Sequence, residues 1–187
     1  MAEDIILLAM NITYVAVFLA FLFFVVMPRT IGRRKGSAPF IPTRSRAVAT
    51  AIELLQLSSG SAFYDLGCGD GRILAAAARS SPSSKIVGID NDWLPLFFAR
   101  MRTYRASNVT LIKADMYNVN LRDATHIYCY LFPEALRELE SKILKECRDG
   151  TRIVTCDYYF PNLVPARSVE LSKNKYMLAR KMFLYVI

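Results

Sequence analysis

A short acidic, glycine-rich stretch is the part of this sequence best suited to hold a small ligand. Residues 65–71 read Asp-Leu-Gly-Cys-Gly-Asp-Gly and follow the apolar run at 62–64. Glycines in such a turn permit positive φ angles and let a ligand lie directly against the backbone. Two further carboxylates, Asp90 and Asp115, end the next two apolar runs. Because a carboxylate after the second strand can accept hydrogen bonds from both hydroxyls of a ribose, the pattern indicates a nucleoside-bearing ligand.

The charges of the turn discriminate between such ligands. A dinucleotide site uses G-x-G-x-x-G, with an uncharged turn that accommodates a pyrophosphate. Here Asp65 and Asp70 flank the glycines, although the spacing of 19 residues from Gly71 to Asp90 resembles that of dinucleotide sites. Two carboxylates repel phosphate and attract a cation. The turn therefore favours a ligand that carries positive charge.

Strand and helix patterns alternate around these residues. Apolar periodicity and turn residues predict helices at 43–55, 72–79, 93–104 and 133–147, strands at 62–66, 86–89, 109–112, 126–131 and 152–155, and a terminal hairpin from 169–171 and 182–187. Thr43 is the predicted N-cap of the first helix. Leu136, Leu139, Ile143 and Leu144 are predicted to form the apolar face of the last helix. The alternation predicts an α/β fold whose mainly parallel, doubly wound sheet binds its ligand at the carboxyl ends of the strands.

The N-terminal segment differs from this domain. Residues 5–27 are 23 positions without a charge, and as a helix they would reach about 34 Å, enough to cross a bilayer. A cleaved secretory signal is the alternative, but the leader is acidic and no small-x-small cleavage site follows. The basic cluster from Arg29 to Lys35 predicts that the following domain stays on the cytoplasmic or matrix-equivalent side. We therefore predict an anchor and juxtamembrane segment at 1–36 and one domain at 37–187.

The four cysteines and the single histidine give no metal-binding pattern. Cys68, Cys129, Cys147 and Cys156 are far apart without a CxxC pair, and His126 stands alone. On the cytoplasmic side thiols stay reduced, so we interpret the cysteines as small core residues and predict no metal.

The formal net charge of +8 raises the question of nucleic-acid binding. Residues 37–187 keep 20 basic and 14 acidic side chains, without a long basic block. Such a surface suits an acidic partner or anionic lipid headgroups about as well as nucleic acid, which we consider the less favoured partner.

The turn and its two following carboxylates resemble the class I S-adenosylmethionine-dependent methyltransferases, whose first motif is an acid followed by G-x-G-x-G. The resemblance implies a Rossmann-like sheet of about seven strands with an antiparallel terminal hairpin. It also implies roles in cofactor binding. Asp65 would orient the methionyl amine, Gly67, Gly69, Asp70 and Gly71 would line the cofactor, Asp90 with Asn91 would hold the ribose, and Asp115 with Met116 would face the adenine. The cofactor is a sulfonium with an ammonium group, which suits an acidic turn.

A narrower resemblance covers residues 39–187. The motif Pro39-Phe40-Ile41-Pro42-Thr43, the stretch 64–73 and the stretch 150–154 are similar to the small protein-lysine methyltransferases of archaea and their mitochondrial relatives. In that family the proline-rich loop covers the cofactor, which implies that Phe40 and Thr43 belong to the site. Asp157 occupies the position of an acid found after the fifth strand. The chain departs from the family at residues 128–130, where two tyrosines occur, so the acceptor pocket differs in shape.

Methyl transfer is a displacement at an already activated carbon, so positioning can supply most of the catalysis. A lysine acceptor must arrive neutral, and an apolar or aromatic channel favours that form. Tyr130 and Phe132 are our candidates for the channel walls, and Asp157 for accepting a proton or holding the ammonium. Core packing is the alternative for the aromatic residues.

These observations predict a membrane-anchored methyltransferase that modifies protein lysines, its substrate being a lysine of a membrane complex. A small-molecule or lipid methyltransferase is the enzymatic alternative, and a cofactor-binding module without catalysis is the other. A nucleic-acid base methyltransferase would carry Asn/Asp-Pro-Pro-Tyr/Phe where this chain reads Tyr-Leu-Phe-Pro at 130–133.

Overall fold

A computed structural model describes residues 7–8, 10–21, 45–174 and 177–187. The chain divides into two compact units, residues 1–37 and 38–187. In the first unit, residues 10–21 are helical and exposed. Across the described ranges, no helix has both the length and the apolar character needed to cross a bilayer. The predicted span at 5–27 lies partly outside the described residues, and Phe40 and Thr43 lie wholly outside them.

The second unit contains a seven-stranded sheet and four longer helices. The strands are β1 (Ala62–Leu66), β2 (Lys85–Asp90), β3 (Val109–Lys113), β4 (His126–Cys129), β5 (Arg152–Cys156), β6 (Arg167–Glu170) and β7 (Lys181–Val186). The helices are α1 (Ser45–Leu55), α2 (Arg72–Ser80), α3 (Trp93–Thr103) and α4 (Pro133–Glu146), with a single 3-10 turn at Met116–Asn118.

The sheet has the strand order β3-β2-β1-β4-β5-β7-β6. The first five strands are parallel, whereas β7 is antiparallel to both β5 and β6. The strand order reverses between β1 and β4, and ligands of doubly wound sheets bind at such a reversal, beyond the carboxyl ends of the strands. Asp65 lies there, opposite Gly88 of β2 and Tyr128 of β4.

Alternate residues of each strand supply the two cores, because successive side chains point to opposite faces of a sheet. On one face Phe63 joins the cluster that contains the buried residues of α1 and α2. On the other face Tyr64 and Leu66 join the cluster formed with α4. Helices therefore cover both faces, as the alternating pattern predicted.

The sequence-based boundaries need two corrections. Strand β4 ends at Cys129, so Tyr130 and Leu131 lie beyond it. The prediction that Leu144 belongs to the apolar face of α4 is wrong, since its side chain is 54% exposed. One helical residue is a rotation of about 100°, which turns Leu144 away from the buried Ile143.

All four cysteines are free. Three are buried, as predicted, and Cys147 is half-buried. In the part of the chain that the structure describes, no three His, Cys, Asp or Glu side chains cluster as metal ligands would.

Candidate active site

The glycine turn between β1 and α2 is attached to the end of β2. The backbone N–H groups of Gly67 and Cys68 both donate to the carbonyl oxygen of Ile89, at 2.8 and 2.9 Å. The φ angles of Gly67, Gly69 and Gly71 are +78°, +54° and +75°. A side chain in this region of φ costs roughly 1–2 kcal/mol, so the turn requires glycine at these positions.

Two of these glycines are also places of close approach. A Cβ on Gly71 would lie 2.9 Å from the Cβ of Ala99, so this glycine lets α3 pack against the start of α2. Gly67 is exposed, and a Cβ there would lie 3.3 Å from a methyl group of Leu131. Gly67 therefore presents backbone that a ligand can reach, whereas Gly71 is enclosed by the protein.

Asp65 is the most deeply buried acidic side chain of the turn, at 2% exposure. Within residues 45–174 and 177–187, no group donates a hydrogen bond to its carboxylate. Burial raises its pKa well above the usual range, and the nearby carboxylates of Asp90 and Asp70 raise it further. A buried carboxylate without a donor is costly, so this position is suited to a cationic hydrogen-bond donor such as an ammonium group.

Asp90 holds the turn and still has acceptor capacity. Its Oδ2 accepts from the backbone N–H of Gly69 at 2.9 Å, and its Oδ1 accepts from the N–H of Asp92 at 2.9 Å. Burial raises its pKa, and these backbone hydrogen bonds partly offset the rise. A carboxylate has about four acceptor positions, so hydroxyl groups of a ligand can bind beside the backbone donors. Asn91 is exposed directly after it.

The carboxylate of Asp70 is engaged by two arginines. Its Oδ2 accepts from Nε of Arg72 at 2.9 Å and from Nη2 of Arg102 at 2.7 Å. Nε of Arg102 also donates to the Asp70 carbonyl oxygen at 2.9 Å. Asp70 thus connects the start of α2 to α3, and its contact with a cofactor stays a prediction. Sequence reasoning missed Arg102, because no local pattern connects it to a residue 32 positions earlier.

Asp115 lies at the same edge of the sheet. The backbone N–H of Ala114 donates to the carbonyl oxygen of Asp90 at 3.0 Å, which brings the ends of β2 and β3 together. Oδ1 of Asp115 accepts from the N–H of Tyr117 at 3.1 Å and caps the 3-10 turn. Met116 is partly buried against the α4 cluster. The predicted cofactor residues of the three strands thus lie at one edge, as the parallel arrangement requires.

Asp157 and Tyr130 form a hydrogen-bonded pair beyond the ends of β5 and β4. The Tyr130 hydroxyl donates to Oδ2 of Asp157 at 2.5 Å, and the backbone N–H of Ala179 donates to the same oxygen at 2.7 Å. Oδ1 accepts from the N–H groups of Arg180 at 2.6 Å and Lys181 at 3.3 Å. Asp157 itself has a φ of +60°. The carboxylate therefore fixes the segment that enters β7.

This pairing bears on the predicted roles. Burial and the hydrogen bond to Asp157 raise the pKa of Tyr130, so its hydroxyl stays protonated and donates. The four donors around Asp157 compete with an incoming ammonium, and its contact with an acceptor stays a prediction. Sequence reasoning missed the backbone donors, which lie 22 to 24 residues after Asp157.

Phe132 is not part of this pair. Its ring packs on Tyr158 with centroids 5.8 Å apart, whereas Tyr130 packs against the cluster on the other face of the sheet. A groove of about 270 Å³ lies beside the pair, because Ala179 is one of its lining residues. Its other lining residues are Arg46, Ala47, Leu171, Ser172 and Met177. The groove was not predicted from sequence, since its walls come from α1 and from the segment between β6 and β7.

Comparison with known sequences identifies the family. A sequence profile described as the ANTKMT methyltransferase domain matches residues 65–167, which is more than half of the chain. The chain belongs to the ANTKMT methyltransferase domain family. It is an S-adenosylmethionine-dependent methyltransferase, and S-adenosylmethionine is its cofactor.

Curated relatives in this family include protein-lysine methyltransferases. A protein-lysine N-methyltransferase of Saccharolobus islandicus is 28% identical over 80% of this chain and 93% of its own length. A lysine N-methyltransferase of Rattus norvegicus that is named for ATP synthase is 32% identical over 71% of this chain. The adenine nucleotide translocase lysine N-methyltransferase of Mus musculus is 31% identical over 70%. This chain spans 61% and 58% of the length of these two mammalian relatives.

Solved structures agree on the fold. An RNA methyltransferase of Salinibacter ruber in complex with S-adenosyl-L-homocysteine has a TM-score of 0.71 and 27% identity, covering 79% of this chain and 94% of that one. A methyltransferase of Geobacter sulfurreducens in complex with the same molecule has a TM-score of 0.56 and 23% identity, covering 70% and 55%. The second likeness supports the fold alone.

The residues of this site fit the cofactor. The buried Asp65 carboxylate lacks a donor among the described residues, which an ammonium group supplies, and Gly67 leaves backbone exposed beside it. Three carboxylates close enough to raise one pKa form an environment that a sulfonium and an ammonium relieve.

Proposed function

We propose that this chain transfers methyl groups to lysine side chains of proteins. The observation that carries the proposal is the agreement between the buried Asp65 carboxylate in the glycine turn and a family whose curated relatives are named for lysine methylation. When bound, S-adenosylmethionine supplies a methyl group activated by its sulfonium.

The cofactor-binding half of the site acts by charge and shape. Asp65 accepts a hydrogen bond from the methionyl ammonium, and Asp90 accepts from the ribose hydroxyls with the oxygen capacity that its backbone donors leave. Asn91, Asp115 and Met116 lie on the adenine side, and Phe40 with Thr43 covers the cofactor. Positioning of this kind can supply most of the rate enhancement in a displacement at an activated carbon.

The acceptor half lies at the ends of β4 and β5. Apolar residues of the groove beside Tyr130 favour a neutral lysine, because desolvation disfavours the ammonium form. Arg46 lines the same groove, and its positive charge also lowers the pKa of a lysine there. Tyr130 and Phe132 form walls, and Asp157 positions Tyr130 through the 2.5 Å hydrogen bond.

We also propose that residues 5–27 anchor the chain in a membrane, with the catalytic unit on the cytoplasmic or matrix-equivalent side. The uncharged run of 23 residues and the following basic cluster support this proposal. A Val15→Arg/Val17→Arg variant is expected to become extractable from membranes at alkaline pH, because arginine near the centre of a span costs roughly 2.5–3.5 kcal/mol per residue. Retention of the variant in the membrane pellet would argue against the anchor.

The experiment that tests the function asks which class of molecule receives the methyl group. Full-length protein in detergent is incubated with methyl-labelled S-adenosylmethionine and membranes from the source cells, and the label is measured separately in protein, lipid, RNA and small molecules. We expect label in the protein fraction, loss of that label with Asp65→Ala, and retention with Asp123→Ala, a change at a surface carboxylate that is 73% exposed.

The other outcomes each contradict the proposal. Label confined to lipid or small molecules would favour the enzymatic alternative, and label in RNA would favour the activity named for the Salinibacter structure. Cofactor binding without label in any fraction would favour a binding module.

A further inference from the structure

Helix α3 exposes large apolar side chains on the side that faces away from the domain. We name this surface the α3 outer face and define it by Trp93, Phe97, Phe98, Met101 and Tyr104. These side chains are between 48% and 69% exposed, and Tyr104 is the residue that follows the helix. The buried residues of the helix are Ala99 and Thr103. The helix is therefore apolar both toward the core and away from it.

The spacing makes the outer face continuous. Trp93, Phe97 and Met101 follow one another at intervals of four residues, which places them in one row along a helix. The rings of Phe97 and Phe98 meet edge to face with centroids 5.7 Å apart. A helix that is apolar all round is normally covered on every side, and a contiguous apolar patch of this kind marks an interaction surface.

The charges around the row indicate what covers it. Arg100 and Arg105 are exposed, and the guanidinium of Arg105 lies 5.0 Å from the centroid of the Tyr104 ring. Helix α3 contains no acidic residue from Trp93 to Thr103. Aromatic residues and methionine in a row, accompanied by arginines without acids, are typical of helices that lie in the interface of an anionic membrane.

We propose that the α3 outer face rests on the surface of an anionic lipid bilayer. A second copy of the chain is a poorer occupant, because it would bring the arginines of two α3 helices together. The excess of basic residues over residues 37–187 also favours an anionic surface. The proposal does not depend on which acceptor the enzyme methylates.

This arrangement has a consequence for the site. Asp92 is the N-cap of α3, its side chain accepting from the N–H of Leu94, and it follows Asp90 and Asn91. The outer face begins with the next residue, Trp93. A bilayer that covers this face therefore lies beside the ribose side of the cofactor site, which suits an acceptor held at a membrane surface.

Trp93 is the single tryptophan of the chain, so its fluorescence reports on the outer face alone. Full-length protein is reconstituted into vesicles of phosphatidylcholine and into vesicles that also contain phosphatidylglycerol, and Trp93 emission and its quenching by brominated acyl chains are measured. In anionic vesicles we expect emission at shorter wavelength and stronger quenching than in neutral ones. High salt is expected to reverse part of both effects.

Two variants of equal charge separate this surface from the general basicity of the protein. Arg100→Gln/Arg105→Gln is expected to lower the ratio of docked to undocked α3 by roughly 30-fold, from about 1 kcal/mol for each arginine near an anionic surface. Arg102 is left unchanged because it pairs with Asp70. Arg79→Gln/Arg137→Gln removes the same charge from exposed positions on α2 and α4 and is expected to behave like the unmodified protein.

Two results would overturn the proposal. Trp93 emission and quenching could be the same in neutral and anionic vesicles, which would mean that α3 does not meet the lipid. Alternatively, the emission shift could depend on the ratio of protein to lipid, together with cross-linking between chains through α3, which would assign the face to a second copy. Flotation of the vesicles shows independently that the protein remains attached, so failure of the anchor is distinguishable.

Discussion

At the scale of single residues, the site depends on one carboxylate whose cost the fold does not offset. Asp65 is buried, adjacent to two other carboxylates, and receives no donor from the described residues. Natural proteins satisfy most buried polar groups within the fold, so an exception of this kind indicates a ligand. The cofactor supplies the positive donor that the protein omits.

Asp65→Asn is therefore expected to weaken cofactor binding by roughly 10- to 100-fold, because hydrogen bonds to charged groups contribute about 1.5–3 kcal/mol. Isothermal titration with S-adenosyl-L-homocysteine, which retains the ammonium group, measures this directly. Asp123→Asn is the matched control, since Asp123 is a surface residue paired only loosely with Arg148 at 3.3 Å. Equal affinities for the two variants would remove Asp65 from the site.

The raised pKa of Asp65 predicts a pH dependence with a defined sign. In the free protein, a carboxyl whose pKa is raised contributes stability that is complete below its unfolded pKa of about 3.9 and lost as pH rises through the folded value. The ionised form that costs stability is the form that binds an ammonium. Affinity for S-adenosyl-L-homocysteine is therefore expected to rise with pH through the same window, and less so in Asp65→Asn. Parallel pH profiles for the two proteins would contradict this assignment.

Asp157 and Tyr130 allow a positioning role to be separated from packing. Asp157→Ala leaves three backbone N–H groups and the Tyr130 hydroxyl without their acceptor, and we expect a loss of about 1–3 kcal/mol of unfolding free energy. Tyr130→Phe removes one donor, keeps the ring, and is expected to cost about 1 kcal/mol. Urea unfolding measures both. If Tyr130 lines the acceptor channel through its ring, Tyr130→Phe keeps most of kcat, whereas Tyr130→Ala loses it at unchanged cofactor affinity. Equal kcat for these two variants would exclude the channel role.

At the scale of elements, the close contact between Gly71 and α3 is the packing on which the turn depends. Gly71→Ala is expected to destabilise the protein by about 2–4 kcal/mol, through both an unfavourable φ and a Cβ placed 2.9 Å from that of Ala99. Gly60→Ala is the matched control, because Gly60 has a φ of +81° and nothing within 4 Å of the added Cβ. We expect it to lose only about 1–2 kcal/mol in urea unfolding. Equal losses would show that the approach of α3 is not tight.

The elements themselves were largely predictable because their signals are local. The apolar runs and the glycine turn gave β1 and α2 within a residue, and the alternation gave a parallel sheet. The insertion of β7 between β5 and β6 needs pairing information that a strand pattern does not carry. Leu144 shows a related difficulty, since four apolar residues within nine positions suggested one face and only the rotation of α4 separates them.

The candidate site was predictable to the same extent. Asp65, Asp90 and Asp115 were found because each ends an apolar run, and the parallel sheet brings such ends together. The partners of Asp70 and Asp157 could not be found, because Arg102 and the backbone of Ala179 reach them across the fold. The exposure of α3 was hidden for a different reason, since a helix that is apolar on both sides looks like a core helix in sequence.

At the scale of the whole molecule, the sheet joins two halves of different character. The half formed by β1, β2 and β3 ends in carboxylates and glycines, which suit a charged nucleoside cofactor. The half formed by β4, β5 and β7 ends in aromatic residues and the groove beside Ala179, which suit a neutral amine. The reversal of strand order between β1 and β4 brings these halves together, so a methyl donor and its acceptor can meet there.

The central claim is that this chain methylates protein lysine at that junction, and tandem mass spectrometry of the modified residue tests it most directly. Membranes from the source cells are incubated with full-length protein and S-adenosylmethionine, and the modified peptides are compared with those from Asp65→Ala. We predict methyl groups on the Nζ atoms of lysines, present with the unmodified protein and with Asp123→Ala and absent with Asp65→Ala. Methylation of a residue other than lysine, or lysine methylation that persists with Asp65→Ala, would contradict the account.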